Sequence, residues 1–157
     1  MSLESVRAFF ARFGREGDIL EFPVSSATVE LAAQAVGCSP GRIAKTLSFA
    51  VDGGCALVVC AGDAKIDNPK FKAQFRTKAR MLSPEEVLSF TGHAVGGVCP
   101  FAMEHPAVTV WLDASLRRFD AVYPAAGSAN SAIRLTPAEL AQFSKSAGWV
   151  DVCKLSE

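Results

Sequence analysis

The 157-residue sequence predicts an α+β protein built around a mixed sheet, and three observations carry that prediction. The run Ile43–Val51 alternates with period two, and Asp52-Gly53-Gly54 joins it to the apolar run Cys55–Ala61 as a hairpin. Ser83-Pro84-Glu85-Glu86 offers a cap, a proline at the first helical position and acids in the first turn, so helices stand among the strands. The order of strand and helix signals lacks a regular βαβ alternation, which favours a mixed sheet over a doubly wound one. One domain over residues 1–157 is expected, long enough to bury about two-thirds of its unfolded surface.

The elements follow in order. Residues 2–13 read as a helix stopped by Gly14, and Ile19–Pro23 as a short strand. Ser25 or Ser26 caps a second helix through Val36, closed by Gly37. Ser39-Pro40 starts one more turn before the hairpin. Asn68–Phe75 is a basic helix, Lys78–Leu82 a brief strand, and the Ser83 helix ends near Gly92. Val95–Phe101 is a glycine–proline loop, Ala107–Leu112 a strand and Phe119–Tyr123 another. Pro124–Asn130 is a turn-rich loop before the strand Ser131–Leu135; Thr136-Pro137-Ala138-Glu139 begins the last helix, and Trp149–Cys153 is a closing strand.

Composition narrows the class. The amino terminus, with acid and base among Val6, Phe9, Phe10 and Phe13, lacks the pattern of a signal peptide. The longest strongly apolar stretch, Ala56–Ala61, is far too short to span a bilayer, so a soluble, cytoplasmic protein without a membrane partner is expected. Five cysteines without a Cys-x-x-Cys pair, and only His93 and His105, offer no zinc spacing; no metal is expected. Cys38, Cys55, Cys60 and Cys153 read as small buried hydrophobes of a reducing compartment. Sixteen basic and sixteen acidic residues cancel, and this balance does not advertise DNA. The segment Lys65–Arg80 nevertheless holds six basic residues (Lys65, Lys70, Lys72, Arg76, Lys78, Arg80) against Asp67, a net of +5. It is either a solvated helix face or a phosphate-binding patch.

Lys45 is the residue out of place. It shares a strand face with Ile43, Leu47, Phe49 and Val51, the face that should turn to the core. A buried ammonium costs several kcal/mol unless paired. Either the strand opens there on a cavity for an anionic or carbonyl-bearing ligand, or the stem snorkels out or finds an internal partner.

Two loops join it as candidates. In Gly96-Gly97-Val98-Cys99-Pro100-Phe101, two glycines allow close backbone approach and the proline fixes the turn. Such a loop can aim N–H groups at an oxyanion, and it reads equally as a tight structural turn. It matches neither a Walker A loop nor a dinucleotide fingerprint. Ala125-Ala126-Gly127-Ser128-Ala129-Asn130-Ser131 leaves space and supplies hydroxyl and amide groups, as a pocket wall or a long hairpin turn would. Cys99 invites a nucleophile reading with His93 or His105 as base, although nothing in the sequence brings either histidine to it. No carboxylate pair stands out: Glu85 and Glu86 suit the helix dipole and Asp113 a turn or cap.

These elements in this order resemble the YbaK/prolyl-tRNA-synthetase-associated editing domain family. The residues are Arg42-Ile43-Ala44-Lys45-Thr46-Leu47, then Val95–Phe101, then Tyr123-Pro124-Ala125-Ala126-Gly127-Ser128 ahead of Ile133–Leu140. The resemblance covers roughly residues 5–150 and implies a strongly curved mixed sheet flanked by helices, with aminoacyl-tRNA deacylase activity and no cofactor. By it, Lys45 matches the family's essential lysine, and Gly127 and Ser128 the loop facing the terminal adenosine and ester. Thr46, Gly96, Gly97, Val98, Cys99, Pro100, Phe101 and Asn130 become candidate substrate contacts, and Lys70, Lys72 and Arg76 candidate contacts to the tRNA backbone. Implied partners are a mischarged tRNA, tRNA(Pro) or a related one, and an aminoacyl-tRNA synthetase. Members that remove alanine carry Asn after the lysine and Gly-His in the later loop, where this chain has Thr46 and Gly127-Ser128. Members that resemble the cysteinyl-tRNA(Pro) deacylase share Lys-Thr but have a Gly-Lys-Arg-Gly stretch in that loop. The rival readings are a catalytically idle module that binds tRNA or a synthetase, and a thiol hydrolase using Cys99.

Overall fold

The computed structural model describes residues 2–94 and 97–155. Five strands form the main sheet, in the order β6 (Tyr123–Pro124), β2 (Ile43–Val51), β3 (Gly54–Ala61), β5 (Val108–Asp113), β8 (Gly148–Val150). β2 and β3 run antiparallel and the other three pairings are parallel, so the sheet is mixed; it is also strongly curled. All eight residues of β3 are buried, which makes it the centre of the core. Two small antiparallel ribbons flank the sheet, β1 (Ile19–Glu21) with β7 (Ser131–Ile133) and β4 (Ala64–Ile66) with β9 (Cys153–Leu155).

Five α-helices lie among the described residues: α1 (Ser2–Ala11), α2 (Val29–Val36), α3 (Asn68–Phe75), α4 (Pro84–Thr91) and α5 (Pro137–Ser144). α4 and α5 begin with full capping boxes, on Ser83/Glu86 and Thr136/Glu139, each cap being worth about 1 kcal/mol. α2 and α4 end on Gly37 and Gly92 in the left-handed conformation. α1 packs Phe9 and Phe10 against Phe101, and Phe10 meets Phe143 of α5, closing one end of the core. No helix among the described residues is long and apolar enough to cross a membrane.

Four boundaries differ from the sequence reading. Thr28, not Ser25 or Ser26, caps α2, its hydroxyl accepting the Leu31 N–H at 3.2 Å. Ser26 instead gives its N–H to Ala129 O at 2.6 Å, tying the approach to α2 onto the 125–131 loop. Lys78–Leu82 makes only one bridge, Met81 with Phe49, because the chain leaves β2 at once to start α4. Residues 114–118 form a 3-10 turn, capped where Asp113 accepts the Ser115 N–H, and of the strand expected over 119–123 only Val122, in a single bridge to Leu135, and Tyr123, in β6, pair. The closing strand is two strands in different sheets. Val152 gives its N–H to buried Asp113 Oδ1 and accepts from Asp67 N, which turns the chain from one sheet to the other.

Candidate active site

β2 does not alternate in burial as a half-buried strand would. Ile43, Ala44, Ser48 and Phe49 are buried, and residues 45–47 between them are half-buried, as are Ala50 and Val51 at the end of the strand. On the face carrying Lys45, Ile43 packs against Ala32 and Ala33 of α2. Farther along that face Phe49 meets Phe71 of α3, ring centroids 4.8 Å apart. Lys45 and Leu47 lie between these two contacts. The opposite face is covered as well, with Ala44 and Ser48 buried.

Lys45 Nζ donates to Ala64 O at 2.5 Å and forms no ion pair among the described residues. Asp63 is held below the usual carboxylate range chiefly by its hydrogen bonds to Arg118, and the charge of Lys45 adds a smaller contribution. The lysine is therefore anchored by one carbonyl while its charge stays uncompensated at close range.

The half-buried stretch is the floor of a cleft of about 250 Å³. One wall is the start of α2 with the segment before it, from Ser26 to Val29, together with Ala32. The other is Tyr123, Ala125, Ser131 and Ala132, and Val98 closes the side. Among the described residues that line it, Lys45 is the only charged one. A small, mostly apolar cleft with one cation and several hydroxyls suits a small uncharged group bearing a polarisable carbonyl. A second cavity, about 320 Å³, lies between α1, residues 100–105 and the end of α5. It is larger, but it holds neither Lys45 nor the small-residue loop.

The predicted site residues divide into layers. Lys45, Thr46 and Val98 line the cleft. Gly97 sits against the 125–131 loop: a Cβ built there would lie 2.8 Å from Ser128 Cα and 2.9 Å from its N and C. Gly127 adopts a positive φ of 99°, which favours glycine. Ser128 Oγ is 2.7 Å from Ser131 Oγ and 2.9 Å from Asn130 Oδ1, and Asn130 Nδ2 donates to Phe22 O. Ser128, itself bonded to Asn130, thus braces Ser131, which lines the cleft at the end of the small-residue loop. The α2 wall was missed by the sequence reading; the Ser26 bond to Ala129 brings it there, and no local pattern signals that bond. Gly96 lies outside the described residues.

The rest of the glycine loop turns away from the cleft, contrary to the expected lining role. Phe101 is packed among Phe9 and Phe10, Pro100 borders the second cavity, and Cys99 is fully buried. The fold does bring His93 to Cys99, with Nε2 at 3.5 Å from Sγ and 3.2 Å from Phe101 O. Burial pushes the Cys99 thiol up to about 12 and the His93 imidazole down, so both stay neutral. An activated thiolate–imidazolium pair needs the opposite shifts. Cys99→Ser is expected to keep deacylation within about tenfold of wild type in a single-turnover assay; a loss of ~10⁴ would mark a true nucleophile.

His93 also sets a pH dependence. Its folded-state proton affinity lies below the ordinary value of 6.5, so the unfolded chain binds the extra proton first as pH falls. The stability it contributes is full above about 6.5 and is lost as pH falls toward the lowered folded value. Denaturant midpoints measured from pH 7.5 to 5 should fall for wild type and stay flatter for His93→Gln.

The basic segment is on the surface. Lys70 is engaged, its ammonium 3.1 Å from both Asp151 Oδ1 and Cys153 O. Lys65, Lys72, Arg76, Lys78 and Arg80 are exposed and make no ion pair among the described residues. Lys65 follows the carbonyl that anchors Lys45, and Arg80 O accepts the Ala50 N–H beside β2. The patch therefore begins next to the cleft.

A curled mixed sheet with an uncompensated lysine at a small cleft on its edge describes a ligand-handling α+β protein. Residues 24–143 match the aminoacyl-tRNA editing domain, and the chain belongs to that family. It is 59% identical to YwhH of Bacillus subtilis (strain 168), an uncharacterized protein, over 155 residues that make up 98% of each. It is 31% identical over 78 residues to the proline–tRNA ligase of Thermotoga maritima, a match to 49% of this chain and 14% of the ligase. The crystal structure of a candidate trans-editing enzyme for prolyl-tRNA synthetase superposes with a TM-score of 0.86 at 31% identity, covering 97% of this chain and 96% of that one.

Proposed function

We propose that this chain, as one editing domain, is a trans-acting aminoacyl-tRNA deacylase. It hydrolyses the ester between a wrongly attached amino acid and the terminal ribose of tRNA(Pro) or a related tRNA. The observation that carries the reading is Lys45, an ammonium held at the cleft by one carbonyl, with no ion pair among the described residues and Asp63 taken up by Arg118. Family membership and the likeness to a candidate trans-editing enzyme support it. Editing meets a need that binding alone does not: a pocket discriminates one methylene by only about 1–3 kcal/mol.

In the reaction, water adds to the ester carbonyl, the bond from the carbonyl carbon to the ribose oxygen breaks, and that oxygen takes up the proton released by the water. Lys45 stabilises the negative charge that develops on the carbonyl oxygen. No histidine or carboxylate is among the described residues that line the cleft, so the water is held by neutral groups or by the neighbouring ribose hydroxyl. Thr46 shapes the side facing the amino acid, and the Gly127-Ser128 turn, bonded to Ser131, faces the terminal adenosine and the ester. The work is cytoplasmic, calls on no cofactor, and leaves room for a synthetase partner to deliver the tRNA.

The exposed cations beside the cleft are assigned to the tRNA backbone, with Lys72 and Arg76 free to act and Lys70 less so. Replacing Lys72, Arg76 and Lys78 together by Gln should weaken tRNA binding and flatten its log–log salt dependence, by roughly one unit for each phosphate no longer neutralised. Hydrolysis of a minimal aminoacyl-adenosine should change little. An unaltered salt slope would return this face to plain solvated surface.

The test of the function is a panel of mischarged tRNAs incubated with the purified protein. Enzyme-dependent deacylation of one or a few is expected. Binding without deacylation of any would instead make the chain an idle module of the same fold.

A further inference from the structure

The ladder along the outer edge of β2 has a gap one residue long. At one end Tyr123 and Pro124 pair with Ile43 and Ala44. At the other, Leu82 N–H bonds to Ser48 O, and Ala50 N–H to Arg80 O. Strand residues alternate the edge to which they turn their backbone groups, so Thr46 faces outward with Ser48 and Ala50. Lys45 and Leu47 turn theirs inward to Cys60 and Val58. Among the described residues nothing pairs with the outward N–H and C=O of Thr46, which lines the cleft. Its hydroxyl, too, is buried without a partner. An unpaired strand edge is a template for adding another strand.

The geometry points to Thr46 as a one-residue strand edge that receives the acyl group of the substrate through its main chain. This assignment rests on the deacylase reading and says how that site holds its substrate. An α-aminoacyl group carries on one carbon what a strand residue carries, an amine donor and a carbonyl acceptor. Laid antiparallel in the gap, the amine donates to Thr46 O and the carbonyl accepts from Thr46 N–H, the two-bond exchange of a hydrogen-bonded residue pair. The reacting carbonyl then sits on a fixed donor beside the Lys45 ammonium, and that N–H stays bonded as the oxygen gains charge. Recognition of the amino acid as such is separated from recognition of its side chain, which falls to the cleft walls. With no carboxylate among the described residues of the cleft, the amine is read as a donor and not as a cation.

The test replaces Thr46 by its α-hydroxy acid, which turns the backbone N–H into an ester oxygen and leaves the side chain intact. The thermal midpoint should stay within about 4 °C, since no protein partner loses a bond and only the Lys45 carbonyl, now that of an ester, becomes a weaker acceptor for Cys60, while kcat/KM on the best-hydrolysed aminoacyl-tRNA falls by at least ~10². A second arm compares that amino acid with its α-hydroxy and deamino analogues, each relative to its own spontaneous hydrolysis. The hydroxy analogue, which keeps a donor, should be accelerated within about fivefold of the parent, and the deamino analogue at least tenfold less. A variant with activity within threefold of wild type, a marked loss of its stability, or equal acceleration of the deamino ester overturns the assignment. Wild-type protein inactive on every aminoacyl-tRNA would overturn the deacylase reading, and this assignment with it.

Discussion

Lys45→Ala is expected to abolish deacylation, with a fall of at least ~10²–10³ in the single-turnover rate, the size seen when one charge-stabilising donor is removed. Stability should hardly change. Among the described residues the ammonium has one carbonyl partner and no ion pair, and Ala64 O lies in a β4 strand fixed by pairing with β9. Losing a charge that the fold does not neutralise removes a desolvation cost as well as a hydrogen bond. Lys45→Arg should not restore activity, because a planar, longer head cannot take the place of a compact ammonium in a cleft of this size. Circular dichroism and thermal melts beside the kinetic assay check both halves of the expectation. Activity within a few-fold of wild type would remove Lys45 from the chemistry.

Gly97→Ala is the second large effect. Its added methyl would press on the N, Cα and C of Ser128, all at less than 3.0 Å, and backbone atoms cannot swing aside as a side-chain end can. The two loops must part, at a cost of roughly 1–3 kcal/mol. Ser128 holds Ser131 through a 2.7 Å hydrogen bond, so the displacement reaches the cleft wall. Thermal stability and kcat should fall together, and the loss in kcat should exceed that of a variant equally destabilised elsewhere in the core. An unchanged melting temperature would show that the loops do not touch in solution.

Much of the fold was legible because its signals are local. Asp52-Gly53 between two apolar runs gave the β2–β3 hairpin, and proline-led caps gave the starts of α4 and α5. Very short elements set by tertiary contacts were not legible: three-residue β4 forms because β9 arrives beside it, and β8 and β9 separate because buried Asp113 captures the Val152 N–H. The site divides the same way. Lys45 was visible as a charge breaking an apolar face, and Gly97 as one of a glycine pair shortly before Pro100. Ser131, Tyr123 and the start of α2 meet Lys45 only through pairings across roughly eighty residues or more, such as Ser26 with Ala129 and Tyr123 with Ile43. The outward-facing peptide groups of Thr46 depend on where two neighbouring segments stop pairing. No residue pattern encodes that.

The central claim is that the cleft on β2 holds the ester. A crystal structure with a non-hydrolysable aminoacyl-adenosine, its ester oxygen replaced by N–H, tests this most directly. The account predicts the analogue between α2 and the 125–131 loop, its carbonyl oxygen within hydrogen-bonding distance of Thr46 N–H and beside Lys45 Nζ. An analogue seated in the larger cavity between α1 and α5, away from Lys45, would contradict it.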